Sequence, residues 1–470
     1  MFMGPYFARK NVPYRTVEDF TIVYSGRRKL VLNKTGTAIW SLLDQDRSID
    51  SIAAAISESC RRPVDSETVR MDVEGFLDGM LEQGIVKKNG VDELQREPET
   101  RAAQPAARRN DKRAPVVHSV QEECMTPDLR QQPRSLLDAL EQLYWRRHYV
   151  YKMHLELTYR CNFRCVQCYN ATHKGAESEL TVAEWQRILG ELADLGCYFL
   201  TFTGGEVFVR KDALDILQAA CKHRFTFRIS TNGSLIDERT VERLKGMQPF
   251  LQGVDVSFYG ADRCTHDTLA RRAGSYEKTL AGVRLLAEAR VGVLTKFITM
   301  RDNFEGIPQF EETMKSMGIK YAISTESLIP RTDRVSSPLI QLLTDDQYRR
   351  LLSSQNVQSG AGHSQSCKPG HIRGAITPDG SVSPCEWLTD LKLGNVREQS
   401  LKEIWYGRGF LDFRKVFEQE SDCPTCNLRT GCRRCPAHSY LETGNLLSCA
   451  PIQRHNAELF RDAAQAAIAN

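Results

Sequence analysis

Residues 158–170 read TYRCNFRCVQCYN, and the three cysteines, Cys161, Cys165 and Cys168, form C-x3-C-x2-C directly after a short apolar run. Three thiolates on one short loop suit three corners of a cubane [4Fe–4S] cluster and leave the fourth iron open. Zinc is the competing reading. A structural zinc site takes four ligands in paired knuckles, and no neighbouring His or Cys completes one here.

Outward from this loop, strand-like runs alternate with amphipathic helical runs. The sequence predicts strands near residues 153–157, 198–203, 225–230, 254–258, 294–299 and 320–324, six β/α units in succession. The first intervening helix opens with a capping box, Thr181 with Glu184, and carries Trp185, Ile188, Leu189 and Leu192 on one face. Parallel strands with crossover helices imply an α/β sheet or barrel covered by helices. In such barrels the chemistry sits at the C-terminal ends of the strands. Those ends carry the cysteine loop, then Gly204, Gly205 and Glu206, then Ser230, Thr231, Asn232 and Gly233, then Ser257, Tyr259 and Gly260, with Lys296 inside the fifth strand.

The chain has 470 residues, 41% hydrophobic and 26% charged, which is globular composition and length for about three domains. A net charge of +4 is too slight to argue for nucleic-acid or membrane attraction. There is no run of about 18 apolar residues and no apolar signal core in residues 1–10, so the protein is expected in the cytoplasm, away from membranes. In that compartment clustered thiols among the 15 cysteines are metal ligands before they are disulfides. Residues 1–90 form a small α+β domain whose last helix is expected to stop at Gly84. Residues 91–133, rich in Arg, Gln, Ala, Pro and Glu without a period, form a flexible linker. The barrel is expected over 134–345, a small cysteine-built domain over 346–452, and a capping helix over 453–470.

The three-cysteine loop, GGE after the second strand and STNG after the third resemble the radical S-adenosylmethionine enzymes. The resemblance implies a partial six-stranded (β/α) barrel in which S-adenosylmethionine chelates the open iron and is cleaved to a 5'-deoxyadenosyl radical that removes a substrate hydrogen. It also implies that Gly204 and Gly205 let the backbone approach the ligand, that Glu206 with nearby carbonyls holds the methionyl ammonium, and that Ser230, Asn232 and Ser257 meet ribose and carboxylate. Arg271 is the candidate for the methionyl carboxylate. Two positions depart from the pattern. Gln167 stands where an aromatic usually touches adenine, which leaves Phe163 or Tyr169 for that task or for covering the cluster, and Val207 replaces a common proline.

Cys367, Gly380 and Cys385 have the form C-x12-G-x4-C, and Cys423, Cys426, Cys432, Cys435 and Cys449 follow. This resembles the SPASM extension, which holds auxiliary iron–sulfur clusters in enzymes that modify peptides and proteins. The interleaved pattern implies one cluster on Cys423, Cys426, Cys432 and Cys449. The other has only Cys367, Cys385 and Cys435, one ligand short of four. Two zinc knuckles are the alternative for the last group.

Residues 32–56, with Asn33, Ala38, Ile39 and Trp40, followed by residues 72–88, resemble the small peptide-binding domain of the pyrroloquinoline quinone pathway, a RiPP recognition element. In that family a leader peptide adds as a strand to a three-stranded sheet. A winged helix for DNA is the bland alternative, but the last helix carries Asp72, Glu74, Asp78 and Glu82 and no basic residue after Arg70. The expectation is a peptide maturase that binds the leader of a ribosomally made precursor, abstracts a core hydrogen and forms a thioether or carbon–carbon cross-link, with flavodoxin or ferredoxin as reductant. A sulfatase-type maturase oxidising Cys or Ser is the runner-up, and a non-catalytic iron–sulfur DNA-binding regulator the distant one.

Overall fold

The computed structural model describes residues 6–25, 28–59, 64–89, 136–170, 173–324, 328–331, 338–353, 369–418, 423–428, 431–432 and 434–469. The linker, Cys60, Cys124 and Cys367 lie outside them. The chain divides into two units, residues 1–142 and 143–470.

In the first unit, β1 (Tyr6–Arg9), β2 (Tyr14–Val17), β3 (Phe20–Ser25) and β4 (Arg28–Leu32) precede α1 (Lys34–Leu42). Then come β5 (Arg47–Ser48), α2 (Ile49–Ser59), α3 (Ser66–Glu82) and β6 (Val86–Asn89). β2, β3 and β4 form an antiparallel meander. A second sheet, β5–β1–β6, is not legible in the sequence, because its strands of two to four residues come from distant parts of the chain. Helix starts follow local chemistry: Asn33 Oδ1 accepts the Gly36 amide at 2.9 Å, and Asp65 Oδ2 accepts that of Thr68 at 2.8 Å. Gly84, at φ 69°, ends α3 in a Schellman turn, its amide on Leu81 O and that of Ile85 on Met80 O. Phe7, Ile39, Trp40, Ile52, Val73 and Leu77 form the core.

The second unit starts within α4 (Leu136–Arg147), where the Tyr144 hydroxyl donates to Gly196 O at 2.7 Å. Next come β7 (Lys152–Glu156), α5 (Val182–Asp194), β8 (Phe199–Thr203), α6 (Ala213–Lys222), β9 (Thr226–Thr231), α7 (Glu238–Lys245) and β10 (Leu251–Phe258). The alternation ends with α8 (Arg263–Ala270), α9 (Ser275–Glu288), β11 (Val293–Phe297), α10 (Ile307–Ser316) and β12 (Lys320–Ile323). These six strands are parallel and lie side by side in chain order. After α11 (Asp345–Ser353), the strand β13 (Arg373–Ile376) pairs in parallel with β7, placing Gly374 beside Met153, and β14 (Ser381–Ser383) and β15 (Gly394–Asn395) follow antiparallel. The cysteine-rich segment therefore extends the barrel sheet to nine strands and covers an edge that β7 would otherwise expose. The chain ends in α12 (Leu401–Tyr406), α13 (Arg408–Glu418), α14 (Pro436–Thr443) and α15 (Pro451–Ala469).

Each parallel strand sends alternate residues to opposite faces. Met153, Leu155, Leu200, Phe202, Phe227, Ile229, Val254 and Val256 join the core against Trp185, Ile188 and Leu192 of α5 and Ile216 of α6. The intervening residues Lys152, His154, Glu156, Thr201, Arg228, Ser230, Asp255, Ser257 and Lys296 face the interior. A strand buried on both faces normally reads as a continuous apolar run, so this alternation marks a polar interior.

Arg397, just beyond β15, ties the extension to α5: its Nε donates to Glu184 Oε1 at 2.6 Å and its Nη1 to Ser178 O at 2.9 Å. The Arg397 hydrogen bond, reinforced by the Thr181 cap, brings the Glu184 carboxyl down to about 2 from 4.5. Because the folded value is depressed, this stabilisation is full above pH 4.5 and is lost as pH falls towards 2. Glu184→Gln is expected to cost on the order of 1 kcal/mol at pH 7. In urea unfolding of the apoprotein, the gap from wild type should close towards pH 2.

Candidate radical site and cysteine clusters

The cysteine loop is held at its middle, on either side of Cys165. Arg164 N and Val166 N donate to the carbonyls of Ala270 and Leu269 at the end of α8, both at 3.0 Å. That turn is braced in turn by Asp267, which accepts Gly274 N at 2.6 Å, the Ser275 hydroxyl at 2.8 Å and Tyr276 N at 2.9 Å. Phe163, Tyr259, Met300 and Leu328 make an apolar wall on which Cys161 and Cys165 pack. Phe163 therefore covers the loop.

Burial pushes all three thiols up, that of Cys168 to about 11, and each of Cys165 and Cys168 is raised further by its neighbouring cysteines. Thiols so placed stay protonated at neutral pH unless a metal displaces the protons. Among the described residues no three metal-binding side chains converge on one ion. The sulfurs around a cubane stand further apart than the ligands of a single ion, and three partly buried thiols on one loop fit such a group.

The glycines of GGE lie against the root of the cysteine loop. A Cβ on Gly204, at φ 128°, would stand 2.4 Å from Thr158 O, and one on Gly205 would stand 2.3 Å from Arg160 O. Gly205 N donates to Thr158 O at 2.7 Å and Glu206 N to Arg160 O at 2.9 Å. What these glycines admit is the chain's own backbone at the root of the cysteine loop. The Glu206 carboxylate is likewise committed internally, accepting the Thr231 hydroxyl at 2.7 Å, Asn232 N at 2.7 Å and Phe208 N at 3.1 Å. Burial pushes its pKa up while these donors pull it down.

Asn232 reaches the cysteine loop through Asn162, Nδ2 to Oδ1 at 2.9 Å, and Asn162 Nδ2 donates to the Ser234 hydroxyl at 2.9 Å. Asn162 is a residue of this network that sequence reasoning missed, since an asparagine beside a cysteine carries no pattern. Ser230 pairs in register with Asp255, and Ser257 with Lys296, so both serines face the interior. Arg271 is not brought to the site. Its side chain is exposed from a left-handed residue, φ 50°, after α8, and the turn meets the loop through the Leu269 and Ala270 carbonyls instead.

Cys385 and Cys435 share an apolar cluster with Ile329, Leu388, Phe413 and Tyr169. Cys432 lies with Cys423, Cys426 and Cys449; burial first, then those three, push its thiol up to about 11. Tyr169 connects the two regions, for its hydroxyl donates to Glu156 Oε1 at 2.7 Å. Glu156 is wholly buried, burial pushes it up to about 7, and its Oε2 has no hydrogen-bond partner.

The radical SAM superfamily profile matches residues 155–317, that of an iron–sulfur cluster-binding (SPASM) domain residues 367–436, and that of coenzyme PQQ synthesis protein D residues 21–86. The PqqA peptide cyclase of Granulibacter bethesdensis is 30% identical over 307 residues, 59% of this chain and 81% of that one. The chain belongs to the radical SAM superfamily. An AdoMet-dependent heme synthase of Methanosarcina barkeri is 29% identical over 63% of this chain and 94% of its own. Among solved structures, Streptococcus suis SuiB bound to its precursor peptide SuiA has the same fold at a TM-score of 0.60 and 14% identity, covering 94% of this chain and 98% of that one. A [4Fe–4S] cluster, S-adenosylmethionine and auxiliary iron–sulfur clusters are accordingly the cofactors of this radical SAM enzyme.

Gly205→Ala drives a methyl group into two carbonyls of the loop root. Iron bound after anaerobic reconstitution and 5'-deoxyadenosine formed from S-adenosylmethionine are both expected to fall, the latter at least tenfold. Gly75→Ala, where a Cβ meets nothing within 4 Å, should leave both unchanged.

Proposed function

We propose that this protein is a peptide maturase that captures the leader of a ribosomally made precursor with residues 1–90 and modifies a residue of the core, forming a thioether or carbon–carbon cross-link. The observation that carries the reading is a PqqD-type domain joined in one chain to a radical SAM barrel and a SPASM extension. The cyclase relative and the peptide-bound SuiB support it. The β2–β3–β4 meander has two edges on which a leader strand can add through backbone hydrogen bonds. α3 exposes Glu67, Glu74, Asp78 and Glu82, a face that repels phosphate and disfavours the DNA regulator. A sulfatase-type maturase would have no use for the leader-binding domain.

When bound, the loop cluster supplies reductive cleavage of S-adenosylmethionine and thereby a 5'-deoxyadenosyl radical. Cys161, Cys165 and Cys168 would hold that cluster. Backbone groups of Gly204, Gly205 and Glu206 would face the methionyl ammonium, with the Glu206 carboxylate bracing them through Thr231 and Asn232. Ser230, Asn232 and Ser257 would meet the ribose and carboxylate. Cys423, Cys426, Cys432 and Cys449 would hold one auxiliary cluster, and Cys367, Cys385 and Cys435 the other. The domain boundaries at 90, 133, 345 and 452 complete the proposal, as do a cytoplasmic setting and flavodoxin or ferredoxin as reductant. Among the described residues no helix is long and apolar enough to cross a membrane.

Reconstituted, reduced enzyme given S-adenosylmethionine is expected to form 5'-deoxyadenosine, quantified by mass spectrometry, and Cys165→Ala to form none. A peptide encoded by a short reading frame beside the gene is expected to bind the wild type and to lose mass, or gain a cross-link, in the same reaction. Equal absence of 5'-deoxyadenosine from both proteins, with iron fully loaded, overturns the enzymatic reading.

A further inference from the structure

The barrel interior carries more positive than negative charge. Asp255 is shared by two cations, Arg228, whose Nε lies at 2.9 Å, and Lys296, whose Nζ lies at 2.8 Å. Glu386, just past β14, is paired with Arg373, at 2.9 and 3.1 Å, and lies 3.5 Å from the His154 ring. Asp255 is held below the ordinary carboxylate range against the opposing effect of burial, by Arg228 and Lys296. His154 is kept neutral by burial, at about 4. Glu156, near 7, adds at most part of a charge.

Lys152 is the cation left over. Among the described residues it makes no ion pair, and its nearest partner is the Phe199 ring, 5.5 Å from Nζ to the centroid. Burial and then the Arg373 guanidinium pull its pKa down, while the acids that oppose them among the described residues, Glu386 and Asp255, already serve other cations. Among the described residues four cations, Lys152, Arg228, Lys296 and Arg373, thus face the two carboxylates of Asp255 and Glu386. A half-buried, unmatched ammonium is costly unless an anion arrives. The interior is also open to water, since the Lys296 and Arg228 side chains keep 40% and 28% of their exposure.

We propose that this interior is a binding site for a carboxylate carried by the core segment of the substrate, an aspartate or glutamate side chain held by Lys152 with Arg373 and Lys296. The inference rests on the peptide-substrate reading above and names the substrate class that reading leaves open. Geometry sets the reach. Lys152, His154 and Glu156 climb the inner face of β7 towards the cysteine loop, about 13 Å from first to last at strand rise. An extended peptide covers that distance in about four residues, so the acidic residue lies within about four positions of the one that is modified. A carboxylate there meets ammonium and guanidinium donors together, the strongest class of hydrogen bond.

The test is equilibrium dialysis of reconstituted full-length enzyme, with S-adenosylmethionine present, against N-acetylglutamate α-amide and N-acetylglutamine α-amide. These probes differ only in the side-chain charge. The acid is expected to bind at least tenfold more tightly than the amide, Lys152→Met to abolish that preference, and Lys152→Arg to retain it. Equal binding of acid and amide overturns the inference, as does a preference that survives in Lys152→Met. If Lys152→Met does not fold, the acid–amide comparison on the unaltered enzyme decides alone. Leader capture and 5'-deoxyadenosine formation do not enter the dialysis, so failure of the acidic-core inference is distinguishable from failure of the maturase reading.

Discussion

Everything at the catalytic end of the barrel depends on a backbone contact between two loops. Gly205 N and Glu206 N donate to the carbonyls of Thr158 and Arg160, close enough that neither Gly204 nor Gly205 tolerates a side chain. The contact joins the loop after β8 to the root of the cysteine loop after β7. Glu206 carries it one strand further, because its carboxylate accepts from Thr231 and Asn232 at the end of β9. Asn162 then links Asn232 back to the cysteine loop. Three strand ends are thereby locked as one unit before any cofactor arrives, which is the preorganisation a reactive centre needs.

The same strands solve two problems with their two faces. Outward residues are apolar and pack on the helices, and this burial stabilises the fold. Inward residues are polar and charged, and they survive there because Arg228, Asp255 and Lys296 satisfy one another, as do His154, Arg373 and Glu386. A closed barrel filled with aliphatic layers would leave no room for a substrate. This one carries ion pairs instead, and β13 extends the wall so that Arg373 and Glu386 belong to the same interior as Lys152 and His154. The auxiliary-cluster region is in this sense a part of the active barrel, not an appendage to it. Tyr169, one residue beyond Cys168, packs with Cys385 and Cys435 and so ties the two cysteine regions together.

The sequence by itself determined a good deal. The six β/α units, the capping box at Thr181, the stop at Gly84 and the cysteine loop were all legible, because each is set by interactions within a few residues or by a fixed ligand spacing.

Only the tertiary structure decided what the glycines and Glu206 contact, that Arg271 points to the surface, that β13 continues the barrel sheet, and that Lys152 is left without a carboxylate of its own. Each of these joins residues tens to hundreds of positions apart, as in the pairing of Met153 with Gly374. Local periodicity says which face a residue occupies, but not which other face it will meet. That is decided when the chain closes, by which buried charges find a partner and which do not.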